Sequence, residues 1–235
     1  GFESGDSNIN TAMASRRGYA AWTIDITAQS AHSSRLFTDD VGYGAIYEAA
    51  RVLEQFRAQL KPFNDLTYNP GMIIGGTRTS FDKQSSLGEA FGKNNVIAGS
   101  VKITGDIRAT SSEQLAKATE QMQLIVANSP SFIESKIAFS DGYPPMAVTP
   151  GNLSLLAQYN QVSEDLGYNK VIAANPRNAG AADISFAANY VDMAIDGIGM
   201  MGSGAHTQSE VGDLSSFRMN IEKSAILLHR LTQSW

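Results

Sequence analysis

Between residues 20 and 139 the hydrophobic pattern reads strand, helix, strand, strand, helix, strand, and this order restricts the fold more than any other feature of the chain. In the first segment, Ala20–Thr27, Trp22, Ile24 and Ile26 alternate with Thr23, Asp25 and Thr27, the period of a half-buried strand. Over Gly44–Leu60 the period lengthens: Ile46, Ala49, Ala50, Leu53, Phe56 and Leu60 recur at helical spacing, and Pro62 ends the run. Leu66–Ile74 predicts a second strand stopped by Gly75 and Gly76, and polar, glycine-bearing Thr77–Asn94 reads as a loop. Val96–Ile107 predicts a long strand with Arg108 at its far end. Ser111 or Ser112 can cap a helix with Glu113 in its first turn and Leu115, Ala118, Met122, Ile125 and Val126 inward, and Ser135–Phe139 is a short last strand. The sum is an α+β domain of split βαβ type over residues 17–143.

A different architecture follows. Tyr143, Pro144, Pro145 and Met146 break the pattern. Helix Asn152–Leu166 closed by Gly167, strand Val171–Ala174, a turn at Gly180–Asp183 with Asp183 capping a helix to Val191, strand Met193–Ile198, and a last helix, Met219–Leu231, then alternate. In that last helix Ile221, Ala225, Leu228 and Leu231 are expected inward. Alternation of this kind predicts an α/β fold with a mostly parallel sheet covered by helices on both faces. Phe2 and Glu3 look like the end of a strand whose start is missing, so residues 1–16 are grouped with 144–235 as a partial α/β body, and the split βαβ domain becomes an insertion.

Composition removes whole classes of chemistry. Cysteine is absent, which excludes disulfides, thiolate nucleophiles and cysteine-ligated zinc, so any metal must sit on His, Asp and Glu. A net charge of −5 with dispersed Lys and Arg offers no basic stripe for nucleic acid. No apolar run is long enough to span a bilayer, so no membrane partner is expected. Among the three histidines, His206 lies in glycine-rich IGMMGSGAHTQSE after an apolar run, and His32 follows the first strand on a loop of small residues. His229 sits in the terminal amphipathic helix with no motif around it and reads as structural.

Phe2-Glu3, Ser30-Ala31-His32-Ser33, Asn95-Val96-Ile97 with Gly105-Asp106-Ile107-Arg108, Ala179-Gly180-Ala181-Ala182-Asp183 and Gly204-Ala205-His206 occur in this order, and together they resemble the M20 family of metallopeptidases, the group of glutamate carboxypeptidases, aminoacylases and desuccinylases. The resemblance covers the second part of such an enzyme. It implies a zinc-peptidase-like catalytic body carrying an inserted lid or dimerisation domain, and hydrolysis of the amide bond of short peptides or N-acyl amino acids with a free carboxylate by water held between two zinc ions, with cobalt or manganese as alternatives. By motif position Glu3 and His206 would be metal ligands, expected close together at one sheet edge. His32 would stabilise the oxyanion, commonly from the neighbouring subunit of a homodimer built through helix 44–60 and its adjoining strand. Asn95 and Arg108 would hold the substrate carboxylate, converging through a bulge at Gly99 or Gly105, and Tyr143, Arg177 and Gly180 would lie near the substrate. The family's upstream histidine ligand, bridging aspartate and Glu-Glu pair have no counterpart in this sequence, so a fragment is expected, inactive alone. The resemblance leans towards exported, periplasmic relatives, with the cytoplasm as the other possibility. The competing reading is a non-catalytic binding or dimerisation module on a degenerate body.

Overall fold

The structure is a computed structural model that describes residues 1–5, 8–205 and 207–233. In chain order its elements are β1 (Thr11–Ala12), β2 (Gly18–Ala28), α1 (Gly44–Leu60), β3 (Thr67–Gly76), β4 (Arg78–Asp82), β5 (Leu87–Phe91), β6 (Ser100–Ala109), α2 (Ser112–Ala127), β7 (Ile133–Phe139), α3 (Pro150–Asp165), β8 (Ile172–Ala173), α4 (Ile184–Ala187), β9 (Gly202–Ser203), β10 (Val211–Gly212) and α5 (Leu214–Gln233). The chain divides into two compact units. One comprises Gly1–Gly18, Thr110–Ser112 and Tyr143–Trp235, the other Tyr19–Ala109 and Glu113–Gly142.

The second unit holds a four-stranded sheet in the order β3-β6-β2-β7, with β3 antiparallel to β6 and β2 antiparallel to β7. Alternation decides which face is covered. Trp22, Ile24 and Ile26 of β2 and Val101, Ile103 and Ile107 of β6 pack against Ala49, Val52, Phe56 and Leu60 of α1 and Ala118, Met122 and Ile125 of α2. Trp22 meets Phe56 edge to face at 5.9 Å, and its indole N–H donates to the Asp106 carbonyl at 3.0 Å, which satisfies the one polar atom the ring buries. Helix α1 has the expected bounds but is rotated from the expected face: Ile46 is 53% exposed, whereas Glu48 is fully buried. The Glu48 carboxylate accepts from Tyr43 Oη at 2.8 Å, Ser129 Oγ at 2.6 Å and Arg51 at 2.6 and 2.9 Å, so its burial is matched by partners from both helical segments.

Two expectations fail here. Residues 77–94 are not a loop: β4 and β5 pair antiparallel from Arg78↔Phe91 to Asp82↔Leu87. Every residue of β5 is exposed, so no buried face imposes the apolar alternation by which a strand is recognised. Strand β6 starts at Ser100 rather than Val96, because residues 95–99 run beside the His32 loop instead, with Ser33 N donating to Asn95 O at 2.9 Å and Ile97 N to Ala31 O at 2.8 Å.

In the first unit, Thr149 caps α3 by accepting from Asn152 N at 3.0 Å, with Pro150 in the first turn, and Gly167 at φ +78 follows the helix end. Leu155, Leu156, Tyr159 and Val162 of α3 form a core with Ala12, Ala14, Val171, Ile195, Ile198 and Leu227. The expected parallel sheet is represented by one parallel pair, Thr11↔Ile172 and Ala12↔Ala173, while β9 and β10 pair antiparallel. Residues 193–198 are not a strand: Asp196 makes a single antiparallel bridge to Met13. The helix after Asp183 ends at Ala187 and continues only as one 3-10 turn to Tyr190, and the Asp183 side chain makes no cap bond. Helix α5 inverts the expectation most clearly. Its buried residues are Ser216, Asn220, Lys223, Ser224 and Leu227, whereas Ile221 and Leu228 are 52% and 54% exposed. No described helix is long and apolar enough to cross a membrane.

Candidate functional site

In the first unit the sequence-predicted residues begin with Glu3. Its backbone is fixed from two directions: Gly199 N donates to Glu3 O at 3.0 Å, and Glu3 N donates to the Asp196 carboxylate at 3.3 Å. A Cβ on Gly199 would lie 2.3 Å from Phe2 O and 2.8 Å from Glu3 O, so this member of the glycine-rich run is a glycine because another backbone lies against it. Asp196 is completely buried and its second oxygen accepts from Arg16 Nε at 3.1 Å. Sequence reasoning assigned Asp196 nothing; its only signal was one acid inside the apolar run 193–198.

Tyr143 packs on Phe186 with the rings tilted and their centroids 5.1 Å apart, and its hydroxyl donates to the Asp183 carboxylate. That bond raises the phenol's pKa first, the Asp183 charge adds to it, and the Glu3 charge contributes as well. Glu3, Tyr143 and Asp183 therefore share one electrostatic neighbourhood of two carboxylates and a phenol. Asp183, expected to cap a helix, turns instead to the tyrosine. Arg177 is exposed on a 3-10 turn and its carbonyl accepts from Arg17 at 2.8 Å. A Cβ on Gly180 would meet nothing within 4 Å, so an open space fronts that backbone. His206 lies outside the described residues, and its expected closeness to Glu3 with it. Among the described residues no group of three or more His, Asp or Glu comes together to hold a metal ion. Glu3 and Asp183 supply two carboxylates, short of the three or more protein ligands that zinc takes.

In the second unit His32 is the cap of the turn Ser33–Arg35, its Nδ1 accepting from Ser34 N at 3.2 Å and lying 2.9 Å from Ser34 Oγ. The ring is exposed and its backbone bridges to Val96. His32 and Asn95 thus sit together. Arg108 does not join them: it lies at the opposite end of β6, paired with Thr67, its Nε 3.0 Å from Asp106 Oδ2 and its guanidinium 5.4 Å over the Tyr19 ring. From Ser100 to Arg108 a strand rises roughly 26 Å. The expected convergence of Asn95 and Arg108 fails within one chain, because the irregularity in the ladder, between Pro70 and Met72, lies on β3 and leaves β6 running straight between the two ends.

Residues 14–131 match the model of the peptidase dimerisation domain of M20 enzymes. No curated protein matches the chain. Among solved structures, aminopeptidase PepT from Bacillus cereus is similar at a TM-score of 0.69 with 16% identity over 95% of this chain and 54% of its own. A tripeptidase from Staphylococcus aureus is similar at 0.67, with 16% identity over 95% and 54%. An amidase of the hydantoinase/carbamoylase family from Burkholderia multivorans is similar at 0.56, with 19% identity over 92% and 47%. The chain spans about half the length of these structures. The dimerisation-domain match over half the chain, on a split βαβ unit set into an α/β body, makes this chain a member of the M20 peptidase family.

Proposed function

We propose that the chain is part of a metal-dependent M20 hydrolase that cleaves the amide bond of short peptides or N-acyl amino acids bearing a free carboxylate, and that it acts as a homodimer. The observation that carries this reading is the separation of His32 and Asn95 from Arg108 by the length of β6. A pocket that uses both ends needs two copies of the unit. In this reading one subunit contributes His32, a donor to the developing oxyanion, with Asn95 beside it, and the other contributes Arg108 for the carboxylate.

Glu3 and His206 are proposed as metal ligands, with Tyr143, Arg177 and Gly180 near the substrate. Two zinc ions, or cobalt or manganese in their place, would lower the pKa of a bound water and polarise the scissile carbonyl. The described residues do not complete such a site, and we assign the remaining ligands to the portion of an M20 polypeptide that this chain does not span. The apolar stripe Phe2, Ile198, Phe217, Ile221 and Leu228 lines an open groove, and we assign the same absent portion as its cover. The partial catalytic body would then comprise residues 1–16 and 144–235 and the lid residues 17–143, and the periplasm is the proposed location.

The test is turnover of dipeptides and N-acyl amino acids by the complete polypeptide, before and after metal removal and with zinc, cobalt or manganese restored. Hydrolysis lost on chelation and regained with metal supports the reading. Activity indifferent to chelation ends it.

A further inference from the structure

The hairpin β4–β5, which the sequence hid, folds back over the face of the sheet that the helices leave bare. Thr79 Oγ1 lies 2.6 Å from Ser100 Oγ, and the Phe81 ring lies under the Lys102 ammonium at 5.9 Å. A Cβ on Gly88 would fall 1.8 Å from the Ile74 side chain, so the hairpin is pressed onto β3 there. Between its tip and the sheet remains a cleft of 640 Å³. Tyr19 and Phe81 give it aromatic walls, and Asn69, Lys83, Lys102 and Asp106 its polar groups.

Gly71 and Gly105 lie in the floor of this cleft. Gly71 has no partner residue on β6, and a Cβ there would approach nothing closer than Asn69 Nδ2 at 3.6 Å. The charges named in and around the cleft balance in number, but they are not all paired with one another. Asp106 is held by Arg108 at 3.0 Å and Lys102 by Asp25 at 2.5 Å. Asp82 is turned into the hairpin tip, accepting from Gln84 N at 2.9 Å and Ser85 Oγ at 2.5 Å. Lys83 has no carboxylate in ion-pair reach among the described residues, so a cation is left at the mouth of a cleft in a chain whose net charge is −5.

We propose that this cleft, roofed by the hairpin Arg78–Phe91, is a binding site for a short extended peptide carrying a carboxylate. Lys83 meets the carboxylate, Asn69 and the unladdered backbone at Gly71 face the peptide main chain, and Tyr19 and Phe81 flank it. The site uses neither Glu3 nor His32 of the hydrolytic reading, and it borders that reading's Arg108 through Tyr19 and Asp106.

Titration of the ¹⁵N-labelled complete polypeptide with N-acetyl-glycyl-glutamate, in EDTA so that turnover plays no part, tests it. Saturable shifts are expected at Thr23, Asn69, Gly71, Lys83 and Thr104. The diamide of the same peptide, and Lys83→Gln titrated with the diacid, should each bind about fivefold more weakly, as loss of one exposed charge contact costs about 1 kcal/mol. Lys83 is exposed, so the variant spectrum away from the cleft serves as the check on folding. Equal binding of diacid and diamide, shifts indifferent to Lys83→Gln, or no saturable shift at these residues would each overturn the proposal. Binding without any hydrolysis by the complete polypeptide would leave this site standing and remove the hydrolytic reading alone.

Discussion

The Lys223 ammonium lies 5.1 Å over the Tyr159 ring with no carboxylate paired to it among the described residues, and the lysine is 2% exposed. Burial lowers its pKa to about 8 from 10.5. Between these values the unfolded chain binds more protons than the folded one, so stability rises with pH from about 8 to about 10.5; below 8 both states are charged and the full penalty applies. Lys223→Met should therefore stabilise the first unit at pH 7 by about 1–3 kcal/mol, with the ring contact offsetting part of the penalty, and flatten the rise above pH 8. Urea denaturation of both proteins from pH 7 to 10.5 measures this. A less stable variant at pH 7 contradicts it.

Glu48 gives the opposite case, a buried charge with all its partners. Glu48→Ala leaves the Arg51 guanidinium and the Tyr43 and Ser129 hydroxyls without their shared acceptor, and should cost about 3–5 kcal/mol. The Tyr43 phenol, pushed up to about 12 by burial first and then by its bond to Glu48, should titrate closer to 10 in the variant. Ultraviolet titration of tyrosinate ionisation and thermal melting read the two effects. An unchanged melting temperature would show that the network contributes nothing.

The exposed stripe on α5 predicts a pair of unequal outcomes. Ile221→Ser with Leu228→Ser should change the stability of the 235-residue chain by no more than about 0.5 kcal/mol per site, since each residue is half in water. In the complete polypeptide the same pair should cost several kcal/mol, about 25 cal/mol for each Å² of apolar surface left uncovered. Equal effects in both contexts would remove the assigned cover.

What the sequence made legible follows from which faces are buried. Helix Gly44–Leu60 was readable to the residue because a helix packed on a sheet must repeat apolar side chains every three or four positions, and β2 because it alternates against that helix. Hairpin 78–91 was not, since every residue of β5 stays exposed even where the hairpin rests on β3, and no buried face selects a pattern. The stripe of α5 was seen correctly as apolar, yet its direction depends on what packs there, and periodicity alone does not carry that information. At the site, His32, Asn95 and Arg108 were legible as motif residues, but their division between two ends of one strand emerges only from the register at Val96 and Thr67. The bonds of Asp183 to Tyr143 and of Asp196 to Arg16 and the Glu3 backbone were not legible, because a lone acid in a turn or an apolar run resembles a cap or an accident until its partner is seen.

Glu3 is the described residue proposed to hold metal directly. In the complete polypeptide Glu3→Gln should weaken zinc retention by about 10-fold or more, while Tyr143→Phe should leave retention within about twofold. Equilibrium dialysis with metal analysis reads both. Equal retention by Glu3→Gln and the parent would remove Glu3 from the ligand set.

Mixing two inactive variants of the complete polypeptide tests the composite site most directly. His32→Ala and Arg108→Ala should each abolish hydrolysis as homodimers. After unfolding together and refolding in equal amounts, half the dimers are mixed and one of the two sites in each is intact, so activity should return to about one quarter of the parent's. Recovery near that level is the predicted result. If His32 and Arg108 of one chain served the same pocket, every site in every dimer would lack one of them, and the mixture would remain as inactive as its parts.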